Sequence, residues 1–199
     1  MAVNPATEAS DALLVQRAQA GDAESFRVLF ERHHRRIYNA VYPIVRTAAD
    51  AEDVTQDAFV RAYRALGSLR EGQAFLSWLY RIALNLARNH VRDRRASLWE
   101  SLDEQVVWGE ETLERQIADP GPGPAQAAEE HEVQAVVRAA IEELSPAHRE
   151  VVVLHHLQGV PVEEIARVVG CSVGTVKSRL ARARDALKRK LRSYVLAEP

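Results

Sequence analysis

Cysteine occurs once in these 199 residues, at Cys171, which leaves no disulfide framework and no thiolate metal cluster to build and suits a reducing compartment. Glycine is scarce at nine residues, and aromatics make up only 6% of a chain that is 47% hydrophobic, a balance that favours packed helices. No apolar run approaches the roughly 18 residues needed to span a bilayer. The start MAVNPATEAS also lacks a basic segment followed by an apolar one. These absences predict a soluble, cytoplasmic, all-α protein with no direct membrane insertion.

Charge is nearly balanced overall, at −2, but unevenly spread. Residues 1–95 hold 14 bases and 11 acids, residues 96–130 hold one base and nine acids, and residues 131–199 hold 11 bases and eight acids. The middle stretch has no sustained helical period and contains PGPGP, so it reads as an acidic flexible linker between two small helical domains, with Trp99 and Trp108 open to either a packing role on a neighbouring domain or a specific contact. The expected division is therefore 1–95, 96–130 and 131–199.

The most specific pattern lies in the last third. Val162, Ile165, Ala166 and Val169 recur at helical spacing, Gly170, Cys171 and Ser172 interrupt it, and Val176, Leu180, Ala183, Leu187 and Leu191 resume it. This is a helix-turn-helix signature with Ser172 as N-cap of the second helix. From Val173 to Arg192 that helix carries eight basic side chains against the single acid Asp185, a concentrated phosphate-seeking surface. Lys177, Ser178, Ala181, Arg182 and Lys188 lie opposite the apolar stripe.

In the first domain, Asp11 to Ala20 predicts a helix stopped by Gly21, and Asp22 caps a longer one with Phe26, Leu29, Phe30, Ile37 and Val41 on its apolar face. Asp50 is the expected cap of the next, running from Ala51 to Leu66, with Glu52 and Asp53 near its positive end. A final helix stacks Phe75, Leu79, Ile82 and Leu86 on one side and Arg81, Arg88, Arg92 and Arg95 on another, with Trp78 and Asn85 at the border. A basic helix edged by an aromatic and an amide suits a phosphate backbone and an exposed base.

Four segments in order, AEDVTQDAFVRAYRAL, FLSWLYRIALNLARNHVRDRR, LSPAHREVVVLHHLQG and VPVEEIARVVGCSVGTVKSRLARARDAL, resemble the extracytoplasmic-function group of the sigma-70 family of bacterial transcription initiation factors. The resemblance implies that the first domain is region 2 and the last region 4. It assigns Asp53, Gln56 and Asp57 to the beta-prime clamp helices of core RNA polymerase, with Asp57 standing where glutamate is usual. It assigns Leu69, Arg70, Trp78, Arg81, Asn85, Arg88 and Arg92 to the minus-ten promoter element. There the loop from Ser68 to Gln73 would form the wall of a pocket for a flipped base, with Asn85 beside it. Thr175, Lys177, Ser178, Ala181, Arg182, Arg184 and Lys188 fall to the minus-thirty-five element, with Arg182 the best candidate for bidentate contact to guanine. Pro161 stands where the family often has a capping hydroxyl. A cognate anti-sigma factor is the further partner implied.

Two other readings compete. A two-component output regulator shares the helix-turn-helix but needs a receiver domain of alternating strands and helices, which the first 95 residues lack. A helical metalloenzyme would use His33-His34 or His155-His156, yet adjacent histidines point to different helix faces and no acid stands at ligand spacing. No catalysis, cofactor or metal is expected.

Overall fold

The computed structural model describes residues 9–100 and 124–195, and every regular element among them is helical. Trp108 and the PGPG of residues 120–123 lie outside the described residues, as does the side chain of Trp99. Four helices form a first unit. Helix α1, Asp11–Gln19, is capped by Ser10, whose Oγ accepts from the Leu13 amide at 3.4 Å. It ends at Gly21, whose φ of +97° is one that side-chain-bearing residues rarely adopt. Helix α2, Ala23–Val45, is capped by Asp22, which accepts from the Glu24 and Ser25 amides at 3.0 and 3.3 Å.

Helix α3, Ala48–Ala65, begins three residues earlier than the sequence suggests, because Thr47 rather than Asp50 is its cap. Thr47 has the extended backbone a cap requires, and its Oγ1 accepts the Asp50 amide at 3.1 Å. That leaves the Asp50 carboxylate free to receive Arg94 at 2.8 Å and to face His90 at 3.1 Å, tying α3 to helix α4, Phe75–Glu100. Leu14, Leu29, Ile37, Val41, Ala58, Phe75, Leu79 and Tyr80 close the shared core.

Helix α5, Pro124–Glu142, opens the second unit. The helical backbone thus enters the stretch read as linker from both sides, over residues 96–100 and 124–130. Pro124 suits a first helical position and AQAAEE is made of strong helix formers, whereas acidic composition reports charge rather than backbone state. Helix α6, Pro146–Val152, passes into a π-helical turn, Val153–Leu157. Buried Arg149 donates to the carbonyls of Ile141 and Leu144 at 3.3 and 2.8 Å and to that of Glu142, meeting the negative end of α5 with a cation.

Helices α7, Val162–Val169, and α8, Val173–Val195, complete the helix-turn-helix, with Gly170 at φ +71° supplying the left-handed turn. Pro161 precedes α7 with no side-chain cap, as the sequence implies. Ile165, Ala166, Val176, Leu180 and Ala183 are buried, and Val162, Val169 and Leu187 pack at the margin. Cys171 is half-buried against this core, the small packing role its position in the turn suggests.

The two units touch, α4 lying against α7 and α2 against α5 and α6. Arg46, in the left-handed conformation at the end of α2, reaches across to the Glu142 carbonyl at 2.6 Å.

Candidate nucleic-acid interface

Asp53, Gln56 and Asp57 project from α3 at intervals of three and one, so one exposed face carries two carboxylates and an amide. Beside them opens a groove that the sequence reading missed. Its walls include Phe26 and Phe30 of α2 and Gln56, Phe59, Val60 and Tyr63 of α3. Phe26 meets Tyr63 edge-on with centroids 4.9 Å apart, and Phe30 meets Phe59 at 4.8 Å. Tyr63 is 51% exposed and Val60 46%, so the groove is an apolar surface open to solvent beside the acidic one. Aromatics four apart on α2 facing others four apart on α3 were the available signal.

The segment between α3 and α4 folds as two short 3-10 turns, Leu66–Ser68 and Gly72–Ala74. Leu69 between them is half-buried and Arg70 exposed. From there Trp78, Arg81, Asn85, Arg88 and Arg92 recur on α4 at three- and four-residue steps, forming one stripe as expected. Trp78 packs beside Phe75 with centroids 6.2 Å apart and stays partly accessible. Arg81, Asn85 and Arg92 are exposed, Arg92 pairing with Asp93 at 3.1 Å.

Arg88 is engaged on two sides. Its Nη1 donates to Asn85 Oδ1 at 2.8 Å, and its Nε and Nη2 donate to the two carboxylate oxygens of Glu150 at 2.7 Å each. The Glu150 side chain is only 7% exposed, so the pair is sheltered, and its bonds raise the Arg88 pKa above the ordinary guanidinium value. Nearby, Gln158 at the end of the π-helical turn accepts from Arg36 through its backbone carbonyl at 3.1 Å and from Tyr80 Oη through Oε1 at 3.2 Å. Burial pushes the Tyr80 hydroxyl up to about 12, so it stays a neutral donor. The contact between units therefore sets the Glu150 carboxylate and the oxygens of Gln158 and Glu142 against Arg88, Arg36, Tyr80 and Arg46 of the first.

On α8 the cap is confirmed: Ser172 Oγ accepts the Thr175 amide at 3.1 Å and shares a bond with Thr175 Oγ1 at 2.9 Å. Half-buried Thr175 is thereby occupied with the cap. Lys177, Ser178, Ala181, Arg182, Arg184 and Lys188 are all exposed. Together they form an outward basic face.

His33 is buried against Asp11, Nε2 to Oδ2 at 2.7 Å, and His34 lies 3.5 Å from Glu52. His155 and His156 touch edge to edge, and desolvation, followed by the neighbouring positive charges, lowers the His156 pKa. Among the described residues no cluster of three ligand-type side chains is placed to hold a metal ion, and no helix is long and apolar enough to cross a membrane.

Two family models match the chain: Sigma-70 region 2 over residues 29–97 and Sigma-70, region 4 over residues 134–187. The RNA polymerase sigma-H factor of Pseudomonas aeruginosa is 38% identical, the match covering 93% of this chain and 95% of that protein. The ECF RNA polymerase sigma-E factor of Escherichia coli is 36% identical over 94% and 96%. Among solved structures, CnrH in complex with the cytosolic domain of CnrY superposes with a TM-score of 0.67 at 30% identity, covering 92% of this chain and 97% of that one. The sigma factor RpoE in complex with the anti-sigma factor NepR from Bartonella quintana gives 0.68 at 25%, covering 85% and 98%.

Proposed function

The chain belongs to the extracytoplasmic-function group of the sigma-70 family, and from that premise we propose how its surfaces divide the work of promoter-directed transcription initiation. As a sigma factor it binds core RNA polymerase and promoter DNA and acts as a DNA-binding regulator of transcription. In the proposed division, residues 1–95 serve as region 2, residues 96–130 as the connecting segment and residues 131–199 as region 4. Asp53, Gln56 and Asp57 contact the clamp helices of polymerase, and the apolar groove beside Gln56 adds the hydrophobic part of that contact.

The basic stripe of α4 takes the minus-ten element. Arg81, Arg88 and Arg92 hold the backbone, while Trp78, Leu69, Arg70 and Asn85 surround an unpaired base. The outward face of α8 enters the major groove at the minus-thirty-five element, where Arg182 forks to a guanine, Ala181 offers a methyl and Arg184 and Lys188 hold phosphates. The protein assists melting by holding what has opened, and no bond is made or broken. It does so in the cytoplasm, and an anti-sigma factor restrains it.

The observation that supports this reading best is the pairing of two outward basic helix faces, one per unit, with a separate face of α3 that presents Asp53 and Asp57 beside an apolar groove. Arg88 cannot hold Glu150 and a phosphate with the same donors, so DNA engagement at this residue breaks its pair with Glu150 and weakens the contact between the units. Run-off transcription with purified core polymerase over a random promoter library tests the proposal. Transcripts from a shared pair of promoter elements are expected, and transcription no different from core polymerase alone would overturn it.

A further inference from the structure

The loop that the proposed function makes the wall of a base pocket is held by a residue outside it. Gln19, the last residue of α1, donates from its single Nε2 to two loop carbonyls, Leu66 and Leu69, each at 2.9 Å. An amide nitrogen carries two hydrogens, so this one atom closes the span on both sides of Gly67 and Ser68. Within it Ser68 Oγ donates to the Ala65 carbonyl at 2.7 Å and the Leu69 amide to the Leu66 carbonyl at 3.0 Å.

Further along, Gly72 lies flush on the same helix. A Cβ built there would sit 2.9 Å from Ala12 Cα and 3.1 Å from the Ala12 carbonyl oxygen, so only glycine lets the chain approach this closely. The loop is thus fixed near its start by the end of α1 and near its finish by the beginning of α1. Helix α1 is itself anchored, since Asp11 receives His33 at 2.7 Å and Arg32 as well.

We propose that Gln19 is a positioning residue for minus-ten recognition, setting through the Leu66 and Leu69 carbonyls where Leu69 and Arg70 stand against the unpaired base. This rests on the loop's role as base-pocket wall proposed above. A reader of base edges needs its groups held within a fraction of an ångström of the productive geometry, and a loop left to itself does not supply that. Gln19 is exposed and fills no part of the core, so its contribution goes to loop geometry rather than to the stability of the unit.

Two variants of the full chain separate the possibilities, Gln19→Ala and Gln19→Glu, the second keeping the shape while removing both donors. In the free chain, amide hydrogen exchange at Leu69 is expected to accelerate about tenfold in both, with the exchange of core amides of α2 and α4 unchanged. In holoenzyme, competition among single-stranded minus-ten oligonucleotides substituted one base at a time should show the preference at one position falling about three- to tenfold, as loss of one or two modest hydrogen bonds allows. Overall affinity for the best oligonucleotide and for core polymerase should change less. Exchange at Leu69 equal to wild type, or an unaltered preference profile with faster exchange, would each overturn the proposal. If wild-type holoenzyme itself showed no base preference, the base-reading role of the loop would fail, and the exchange rates would separately decide whether Gln19 holds it.

Discussion

Arg88 and Glu150, 62 positions apart in the sequence, form a two-bond guanidinium–carboxylate pair at 2.7 Å that joins the basic stripe of the first unit to buried helix α6 of the second. Arg88 also holds the Asn85 side-chain oxygen at 2.8 Å. Two of the residues assigned to the minus-ten element are therefore engaged within the protein in this arrangement. Under the proposed function, Glu150 takes up the Arg88 donors that a phosphate would need.

Glu150→Gln should loosen the contact between units without unfolding either, because the amide replaces the carboxylate shape but not its charge. Loss of a charge-assisted pair of this kind amounts to about 1.5–3 kcal/mol. Small-angle scattering of the free chain should then show a larger radius of gyration than wild type at low salt. Identical scattering curves would mean that the other contacts, Arg36 and Tyr80 with Gln158 and Arg46 with Glu142, hold the units together by themselves.

Asp57→Lys places a cation in the middle of the acidic face of α3, beside Gln56. Association with core polymerase should weaken by at least tenfold in a pull-down titration, while binding of the same variant to duplex minus-thirty-five DNA stays at the wild-type level. Undiminished polymerase affinity would remove this helix face from the interface.

Arg182→Ala should cost about 1–3 kcal/mol at one base position and relax preference there. Lys188→Ala should weaken binding to all sequences alike and reduce the salt slope by about one. Both residues are exposed, so neither change should lower the melting temperature noticeably. Equal, uniform losses from the two variants would show the base and phosphate assignments to be misplaced.

Asp11 carries a pH-dependent part of the stability. Burial works to raise its pKa, and the bonds and charges of His33 and Arg32 outweigh that, holding it below the ordinary 3.8. A carboxylate depressed on folding contributes stability that is present above its unfolded pKa and lost as pH falls through the folded value. Asp11→Asn should accordingly lower stability by about 1–2 kcal/mol at pH 7, and the gap to wild type should narrow below about pH 4. Denaturant titrations at pH 7 and pH 3 measure it.

Helical periodicity carried most of the fold, because amphipathic stripes such as Val176, Leu180 and Ala183 report burial directly. Glycine and cap residues carried the turns, with one misplacement. Thr47 and Asp50 both suit a cap, and the choice rests on the extended backbone at Thr47 and on the partners that Arg94 and His90 offer Asp50, none of which is local in sequence. The exposed basic faces were legible for the same reason as the core, as the complement of an apolar stripe. The contact between units was not, since no period in either segment marks which surfaces of two helical units meet. Arg88 reads equally as a partner for phosphate or for Glu150 until Glu150 is seen beside it. The groove of Phe26, Phe30 and Tyr63 escaped for a related cause: an aromatic stripe at helical spacing looks like core, and only packing shows that part of it is left open.

The proposed function has the first unit read an unpaired base through Asn85 while Arg88 holds the strand. It is tested most directly by competition among single-stranded minus-ten oligonucleotides, substituted one position at a time, for holoenzyme made with wild type, Asn85→Ala or Arg88→Ala. An amide reads an edge and a guanidinium grips the backbone. Asn85→Ala should therefore abolish preference at one nucleotide with the other positions unchanged, and Arg88→Ala should lower affinity for every oligonucleotide by a similar factor. Identical preference profiles for wild type and Asn85→Ala would contradict the account and leave Asn85 as a surface amide bonded to Arg88.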